Sequence, residues 1–563
     1  MMAKAVPAKN PPGAVPSAAG QSVISRILGA VFILPAFFWG LGTITFAAGF
    51  TAYISLNQYN LLSPPKFIGM DNYQRLFTNP AIGIALSGTL RAVILTVLLT
   101  GFTAGFIALG ARWLGEKITL FIRLIFCISL AAWIPLFWGT GWAYGLSKSS
   151  LFGGLLQSIS GQPLLFSSTA PWLLALAIAL ILFGLITSLS GLFYLSAKPQ
   201  EEKRNRLWIL FGLIWVITIL AILAVVPQDL LLSYSILSTG SSSQALTLGI
   251  QIYRLTFVNM QFGPGSALSA LLGLLATLIG LAVTILVAAT GVEIRLAQKE
   301  DAAEHKMKPG LILLVVGLFC FIGFSILALL PVISAALSRT STQAPSTLPP
   351  IVTSSGLINS FIQFIPVFIL QLPISYLAAL GIGGLRPLGK RSEWLLLLFG
   401  GGLFLTITPM SMAGFIINRF LNVIDTPAGL MWSSQILNVP MLFILTLFFK
   451  GQHVAWMDRK ASGESTIRAA FKSLILPSIP LAVLLALLTS VVIFGDIVWP
   501  LVAVHSPEMM PLSLQLLEQM HLKFVSGGFP GFMLAPAFIQ FLLAFVILAL
   551  FQWFFLRRLE IRL

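Results

Sequence analysis

The chain has 563 residues, of which 57% are hydrophobic and only 9% are charged, and its mean hydropathy is +0.97. A soluble domain carries about 25% charged residues, and its surface could not keep this much apolar side chain out of water. The composition therefore excludes a cytosolic enzyme, a secreted disulfide scaffold and a disordered chain. It predicts a protein embedded in a lipid bilayer.

The predicted elements begin after a polar segment, residues 1–26, which is rich in Pro, Ala, Gly and Ser and reads as a flexible cytoplasmic tail. Twelve apolar stretches follow, each longer than the roughly 20 residues that a helix needs to cross a bilayer. They are 27–56, 81–111, 118–146, 170–196, 207–234, 267–294, 310–336, 356–384, 394–420, 428–449, 474–502 and 530–556. We therefore predict an all-α polytopic membrane protein with about twelve transmembrane helices.

The basic residues predict the orientation of these helices. If the N-terminus is cytoplasmic, 25 of the 33 Lys and Arg residues fall in cytoplasmic segments. Membrane proteins keep an excess of Lys and Arg in their cytoplasmic loops, so both termini are predicted to be cytoplasmic. The net charge of +16 is then a topology signal, and we do not expect nucleic acid as a partner.

A charged stretch, Glu293 to Lys308, divides the twelve predicted helices into two sets of six. We place the domain boundary there, with a first six-helix domain over 27–305 and a second over 306–563. An even number of helices returns the chain to the cytoplasm. The two halves are therefore predicted to be parallel repeats.

Few residues in the apolar stretches could carry chemistry. Asp496 lies near the outer end of the eleventh stretch, while Asp229 and Arg419 fall at the ends of others, and the four histidines are assigned to loops. We find no nucleophile–base set, no metal-ligand cluster and no complete nucleotide motif. The sequence therefore predicts no enzyme, no catalytic residues, no bound metal and no cofactor in this chain.

Two segments of the first half follow a recognisable pattern. Residues Ile54 to Phe77 contain Gly69 and the run Asp71, Asn72 and Tyr73, and Ile250 to Leu272 contains Tyr253, Phe262 and Gly263. Both segments resemble the membrane permeases of binding-protein-dependent ABC importers, in the branch that takes up oligosaccharides, polyols and glycerol phosphate. In that family the first segment forms a long outer loop.

The second half resembles the partner permease of the same family. Phe494 to Leu501 is similar to its W-N-D-x-x-W-P-L segment through Asp496 and Trp499, which become pathway candidates. Ser462 to Pro480 is similar to the loop that couples these permeases to an ATPase. The coupling residues that this similarity implies are Gly463, Glu464, Phe471, Leu474 and Pro477.

The sequence also departs from the family pattern. Ser462 and Glu464 stand where the coupling loop has Asp and Ala. The corresponding segment of the first half, Lys198 to Arg206, is too short for two small helices. Within it, Glu201 and Glu202 are weak counterparts of the leading acidic residue. Coupling to an ATPase is therefore expected to be unequal between the halves.

The resemblance implies two permeases fused in tandem, with the fold of a type I ABC importer, in the plasma (inner) membrane of a prokaryote. It implies cytoplasmic ABC ATPase subunits that bind ATP, and an external solute-binding protein that meets the outer loop near Asp71 to Tyr73. The function would be ATP-driven import of a sugar-like solute. Two alternatives stay open: a twelve-helix secondary transporter of the major-facilitator type, whose loop Gly110 to Lys117 is similar, and a non-transporting scaffold descended from a permease.

Overall fold

The structure is a computed structural model, and it describes residues 23–60, 64–146, 150–160, 170–198, 205–237, 247–296, 308–337, 354–526 and 534–563. Within these ranges ten helices are long and apolar enough to cross a membrane. In chain order, α1 to α10, they are Val23–Ser55, Pro80–Leu114, Pro171–Ser196, Arg206–Gln228, Phe262–Thr290, Pro309–Leu337, Ser354–Leu385, Trp432–Ala461, Thr466–Phe494 and Ala537–Phe554. The chain is therefore a helical protein with the architecture of a multi-pass membrane protein.

Two of the twelve predicted spans differ from this picture. The stretch 118–146 forms two helices, Glu116–Ala131 and Pro135–Gly145, which meet at 73°. Pro135 begins the second of these helices, since proline fits the first turn but disrupts a helix interior. If the pair counts as one span, the described residues contain eleven.

The stretch 394–420 is the second difference, because it is not one continuous helix. A 3₁₀ segment, Gly389–Leu396, leads into a short helix that ends at Gly400, and the next helix is Ile407–Phe420. Glycine is a poor helix former, and here three of them occur in a row, Gly400 to Gly402. A hydropathy argument counts the apolar residues but does not see this break.

Shorter helices and two small strand pairs complete the structure. The helices include Asp71–Thr78, Leu151–Ser160, Leu231–Leu237, Leu248–Val258 and Leu512–Ser526. The strands, which an all-α prediction did not include, are β1 (Asn57–Gln58) with β2 (Lys66–Phe67), and β3 (Glu293–Leu296) with β4 (Leu559–Arg562). We call the end of the helix bundle with β1 and β2 the hairpin end, and the end with β3 and β4 the strand-pair end.

Large apolar side chains cover much of the outer surface of the bundle. On α6, for example, Phe319 is 79% exposed and Ile312 is 67% exposed. Contiguous apolar surface of this kind is rare on soluble monomers, whereas a bilayer solvates it at no cost. The exposed faces of the helices agree with the predicted membrane environment.

The first long helix of each predicted half packs against the other half. A Cβ built on Gly381 in α7 would lie 2.5 Å from the carbonyl oxygen of Gly29 in α1. In the same way, a Cβ built on Gly110 in α2 would lie 2.7 Å from the carbonyl oxygen of Gly310 in α6. The two contacts are reciprocal, because α1 and α2 belong to the first half and α6 and α7 to the second. Such close backbone approach between membrane helices requires small residues.

We expect Gly110→Ala to lower stability by about 2 kcal/mol, since the added methyl group would overlap the backbone of α6. The matched control is Gly105→Ala on the same helix, where no atom beyond the adjacent helix backbone lies within 4 Å of the added carbon. That control is expected to leave stability unchanged or raise it by up to about 1 kcal/mol, because alanine is the better helix former. Thermal unfolding in nanodiscs compares the two. Equal midpoints for both variants would show that the α2–α6 contact is not tight.

Three sequence predictions fall partly or wholly outside the described residues. The tail 1–26 is described only from Val23, where α1 begins. The domain boundary at residues 305 and 306 lies in the stretch 297–307, which the structure does not describe. Glu201 and Glu202 lie in the stretch 199–204, which it also does not describe.

Candidate functional site

The predicted coupling loop is a tight turn between α8 and α9. The amide of Gly463 donates to the carbonyl of Lys460 at 3.2 Å, and the amide of Glu464 donates to that of Arg459 at 3.3 Å. Gly463 has a φ of +90°, a backbone conformation that favours glycine. This pattern is the common way to end a helix with a left-handed residue. The helix before the turn is not short, because α8 runs unbroken from Val439 to Ala461.

Glu464 holds this turn together through three cations. Its carboxylate lies 2.8 Å from Lys472, 3.5 Å from Arg468 and 3.6 Å from Arg459. The hydrogen bond from Lys472 and the charges of the two arginines lower the pKa of Glu464 below its ordinary value of 4.5. The residue that departs from the family pattern therefore links the end of α8 to the first two turns of α9.

The lowered pKa predicts how the turn responds to acid. A depressed pKa means that the ionised Glu464 stabilises the folded turn at pH values above 4.5, and that this contribution is lost as the pH falls through the lowered pKa. A spin label on Ser465→Cys should therefore be immobile at pH 7 and become mobile only in acid. In a Glu464→Gln background the same label should be mobile at both pH values. Identical spectra in the two backgrounds would exclude this role for Glu464.

Beyond the turn, α9 exposes apolar side chains where the chain leaves the bundle. Ile467 is 84% exposed and Phe471 is 50% exposed, and a spacing of four residues places them on one face of the helix. Leu474 is fully buried, so it anchors the segment instead of contacting a partner. A π-helical turn, Phe471–Ile475, precedes Pro477. Sequence reasoning missed Ile467, although an apolar residue four positions before Phe471 in a basic loop could have indicated it.

The corresponding position in the first half is covered by the end of the chain itself. The amide of Lys198 donates to the carbonyl of Ile561 at 3.0 Å, and its ammonium group lies 2.6 Å from Glu560. Arg206 donates to the carbonyl of Leu563 at 3.2 Å. Both ends of the short loop are thus held by the C-terminal residues, whereas the turn at Gly463 carries two exposed apolar residues.

The predicted outer-loop residues connect β1 and the helix Asp71–Thr78 to the end of α1. The side-chain amide of Asn72 donates to the carbonyls of Ser55 and Asn57, both at 2.9 Å, and it is almost fully buried. The hydroxyls of Tyr73 and Ser55 lie 2.8 Å apart. Asp71 is exposed at the helix start. Of the three residues, only Asp71 is free to meet a partner, and the other two fix the loop.

A polar cavity of about 320 Å³ lies beside this loop at the hairpin end. Its lining combines amide groups, one guanidinium group and two aromatic rings with aliphatic side chains. It is formed in part by Gln58, Tyr59, Asn72, Arg75, Asn79 and Gln261. Amide and aromatic groups of this kind suit hydroxyl-rich molecules, which form hydrogen bonds and stack on rings.

The two pathway candidates of the second half are packed, not open. Trp499 is fully buried, its ring lies 4.5 Å from that of Trp432, and its indole N–H donates to the carbonyl of Gly429 at 2.9 Å. The carboxylate of Asp496 accepts from the amide of Val498 at 2.8 Å. Asp496 therefore caps a turn, and the buried ring of Trp499 packs that turn against the bundle.

Asp229 occupies the matching place in the first half. Its carboxylate accepts from the amides of Leu232 and Ser233, at 3.2 and 3.1 Å, just after the end of α4. Just after the end of α9, Asp496 accepts instead from the amide two residues on, that of Val498. An aspartate thus follows α4 in the first half and α9 in the second, each with its own hydrogen-bond pattern. The sequence prediction placed Asp229 at the membrane interface without this role.

Aromatic and aliphatic side chains from both halves meet next to these turns. The ring centroids of Tyr253 and Phe257 are 5.8 Å apart, and those of Phe257 and Phe415 of the second half are 5.7 Å apart. Val498 packs in one cluster with Leu230 of the first half. These contacts form an apolar interface between the halves on the hairpin side of the bundle.

Two histidines were wrongly assigned to loops, His521, which lies in the helix Leu512–Ser526, and His453. His453 lies within α8, is buried, and its Nδ1 is 2.7 Å from the carbonyl of Gly384. One turn away, Lys450 lies 3.2 Å from Glu393, which also pairs with Arg386 at 2.7 Å. The apolar stretch in the sequence ends before Lys450, so hydropathy alone could not show that α8 continues inside the bundle.

Comparisons with known proteins add no family assignment. No protein-family model matches the chain, and no curated protein is significantly similar to it. Among the described residues, no group of three or more His, Cys, Asp or Glu side chains could hold a metal ion. The candidate sites therefore depend on their own geometry.

Proposed function

We propose that this chain is the membrane permease of an ATP-driven importer for a sugar or sugar-like solute. The observation that carries the proposal is the pair Ile467 and Phe471, which stays exposed on a turn that Glu464 and Gly463 hold in shape. Exposed apolar residues on a rigid turn, surrounded by Arg459, Arg468 and Lys472, suit an apolar groove on a partner. This segment is also the one that resembles the ATPase-coupling loop.

The reciprocal contacts between the halves support two parallel six-helix repeats. The approach of α1 to α7 repeats the approach of α6 to α2. An aspartate that accepts backbone amides follows α4 in the first half and α9 in the second, namely Asp229 and Asp496. Two permeases fused in tandem would have both features, because each half would then occupy the same place relative to its neighbour.

The other partners follow from the same proposal. ATP would bind to cytoplasmic ABC ATPase subunits at the strand-pair end, and the solute would arrive on a solute-binding protein at the hairpin end. Asp71 and the polar cavity beside Asn72 lie at that end. Both termini would be cytoplasmic, in the plasma (inner) membrane of a prokaryote. No cofactor and no catalytic step is assigned to this chain.

A secondary transporter is the second candidate, and one observation favours it. Lys450, Glu393 and His453 are buried titratable residues near the strand-pair end. Buried ionisable residues in membrane helices often relay protons. However, Lys450 also donates to the carbonyls of Gly291 and Val292, at 2.6 and 3.1 Å, so it is fixed in a structural network. We therefore prefer the importer.

A photo-crosslinking experiment tests the assignment of the coupling turn. A benzophenone amino acid at position 471 should crosslink in native membranes to a protein with a complete nucleotide-binding motif, identified by mass spectrometry. The same amino acid at Leu388, an exposed apolar residue at the same end, should not. Crosslinks to lipid alone at position 471 would contradict the proposal.

A further inference from the structure

A groove runs along the bundle between α3 and α4. Its walls are residues of α3 between Leu182 and Phe193 and residues of α4 between Leu210 and Val226. Within each helix the lining residues recur at spacings of three and four, so they lie on one face of that helix. We call this space the α3–α4 groove. Its floor includes Val287 of α5, Ile294 of β3, Leu447 of α8 and Ile561 of β4.

The groove is open on the side that faces away from the bundle. Three residues of its walls, Leu189, Phe193 and Val225, are 39% to 42% exposed. On the floor, Val287 and Ile294 are buried. Because α3 and α4 are both long and apolar enough to cross a membrane, the open side faces the hydrocarbon of the bilayer.

The lining offers no hydrogen-bonding group to a ligand. It contains two hydroxyl groups, and each already donates to a carbonyl of its own helix. Ser190 donates to Ile186 at 2.7 Å, and Thr218 donates to Ile214 at 2.8 Å. A sugar, an ion or water would lose its hydrogen bonds here. The volume of about 340 Å³ is that of a small-molecule site, so the groove suits an apolar ligand.

The strands β3 and β4 show at which depth of the bilayer the groove lies. Ile294 and Ile561 contribute to its floor, and successive residues of a strand point to opposite faces. The charged neighbours Arg295 and Arg562 therefore point away from the groove. Because charged side chains avoid the hydrocarbon, these strands mark the membrane interface, and the groove extends inward from it.

The length of the groove fits one leaflet. At 1.5 Å per residue, the lining covers about 16 Å of α3 and about 24 Å of α4. One leaflet contributes about 15 Å of hydrocarbon, which is half the thickness of the bilayer core. An acyl chain that starts at the strand-pair end can therefore lie in the groove over its full depth in that leaflet.

The charges at the strand-pair end suit a phosphate headgroup. Lys198 and Arg562 pair with Glu560, and Arg295 pairs with Glu293. Each of these cations is more exposed than the carboxylate that it pairs with. The surface that a lipid headgroup meets at this end is therefore cationic, and it attracts the negative charge of a phospholipid.

We propose that the α3–α4 groove binds one acyl chain of a phospholipid from the leaflet at the strand-pair end. The chain would contact α3 and α4 of the first half and both Leu447 and Ile561 of the second. It would supply dispersion contacts that these side chains otherwise lack, and so it would stabilise the packing of the two halves. The proposal requires a bilayer but no transport, and it is therefore independent of the proposed function.

Native mass spectrometry tests this site. The chain is transferred from nanodiscs of phosphatidylglycerol and phosphatidylethanolamine into a delipidating detergent, and the phospholipid that stays bound is identified by its mass. A filled variant carries Thr218→Phe and Ala221→Phe, which place two rings in the groove. The matched control carries Val216→Phe and Leu223→Phe, which add rings at exposed positions of α4 outside the lining.

We expect the wild type and the control to keep one phospholipid per chain. The filled variant should keep it about tenfold less, which corresponds to about 1.4 kcal/mol. Thermal unfolding provides a second measurement. Added phosphatidylglycerol should raise the midpoint of the delipidated wild type and control but not that of the filled variant. A midpoint of the filled variant at or above that of the delipidated wild type shows that it is folded.

The proposal fails if the wild type keeps no phospholipid, or if the filled variant and the control keep equal amounts. A wild-type dimer that the filled variant loses would also overturn it, because the groove would then hold a second copy of the chain. None of these results bears on the importer proposal, since the experiment involves no ATP, solute or partner protein.

Discussion

Replacing Ile467 and Phe471 together with serine is expected to separate the chain from the ATPase subunits of the proposed importer. These two side chains are 84% and 50% exposed and make no contribution to the buried core of the bundle. Each central apolar contact of an interface can contribute about 2 kcal/mol or more, which corresponds to roughly a thirtyfold loss of affinity. The measurement is the amount of ATPase subunit that co-purifies with the chain from native membranes.

The control for this prediction is Leu388→Ser, which removes an exposed apolar residue at the same end of the bundle. It should leave co-purification unchanged. Thermal unfolding should be the same for both variants, because neither site is buried. The prediction is wrong if the double variant still recovers all of the ATPase while changes in Lys198 to Arg206 abolish that recovery. The coupling site would then lie in the first half.

Lys450→Met is expected to produce the largest loss of stability of any single change considered. The ammonium group of Lys450 lies 3.2 Å from Glu393 and donates to two carbonyl oxygens at the end of α5. Its removal should cost about 3 kcal/mol, since two buried carbonyls lose their donor at about 1–3 kcal/mol each, while Glu393 keeps Arg386 as its partner. Thermal unfolding in nanodiscs measures the change.

Lys390→Met provides the matched control, because Lys390 is an exposed lysine in the 3₁₀ segment of the same region. Its replacement should change stability by less than about 0.5 kcal/mol, as surface substitutions usually do. The account of the Lys450 network requires a clear difference between the two variants. Equal unfolding midpoints would show that the network does not hold α5 against α8.

Much of the fold was predictable because hydrophobicity decides where a membrane helix can form. The ten long helices overlap predicted spans, since each exceeds the length needed to cross the hydrocarbon. The errors occur where an apolar stretch has the composition of a membrane span but its helix is bent or interrupted. Pro135 bends one span, and the glycines at 400 to 402 interrupt another. The helix α8 continues beyond its apolar stretch through Lys450 and His453, because the carboxylate of Glu393 and the carbonyl of Gly384 are buried partners for these side chains.

The functional segments were harder to predict, since their roles depend on contacts far along the chain. Asn72 was selected by resemblance, but its bonds to Ser55 and Asn57 make it a structural residue. The strands β3 and β4 were missed because each is only four residues long and pairs with a segment at the far end of the chain. Ile467 carries no signal until the turn at Gly463 shows which face of α9 is exposed.

A measurement of the energy source of transport tests most directly whether this chain belongs to an ATP-driven importer. The chain is reconstituted in vesicles with the ABC ATPase and the solute-binding protein that the proposal requires, and it is offered radiolabelled sugars, polyols and glycerol phosphate. The account predicts uptake of one of these solutes that requires ATP on the ATPase side and continues when a protonophore collapses the pH gradient. Uptake that a pH gradient drives without ATP would contradict it and establish the chain as a secondary transporter.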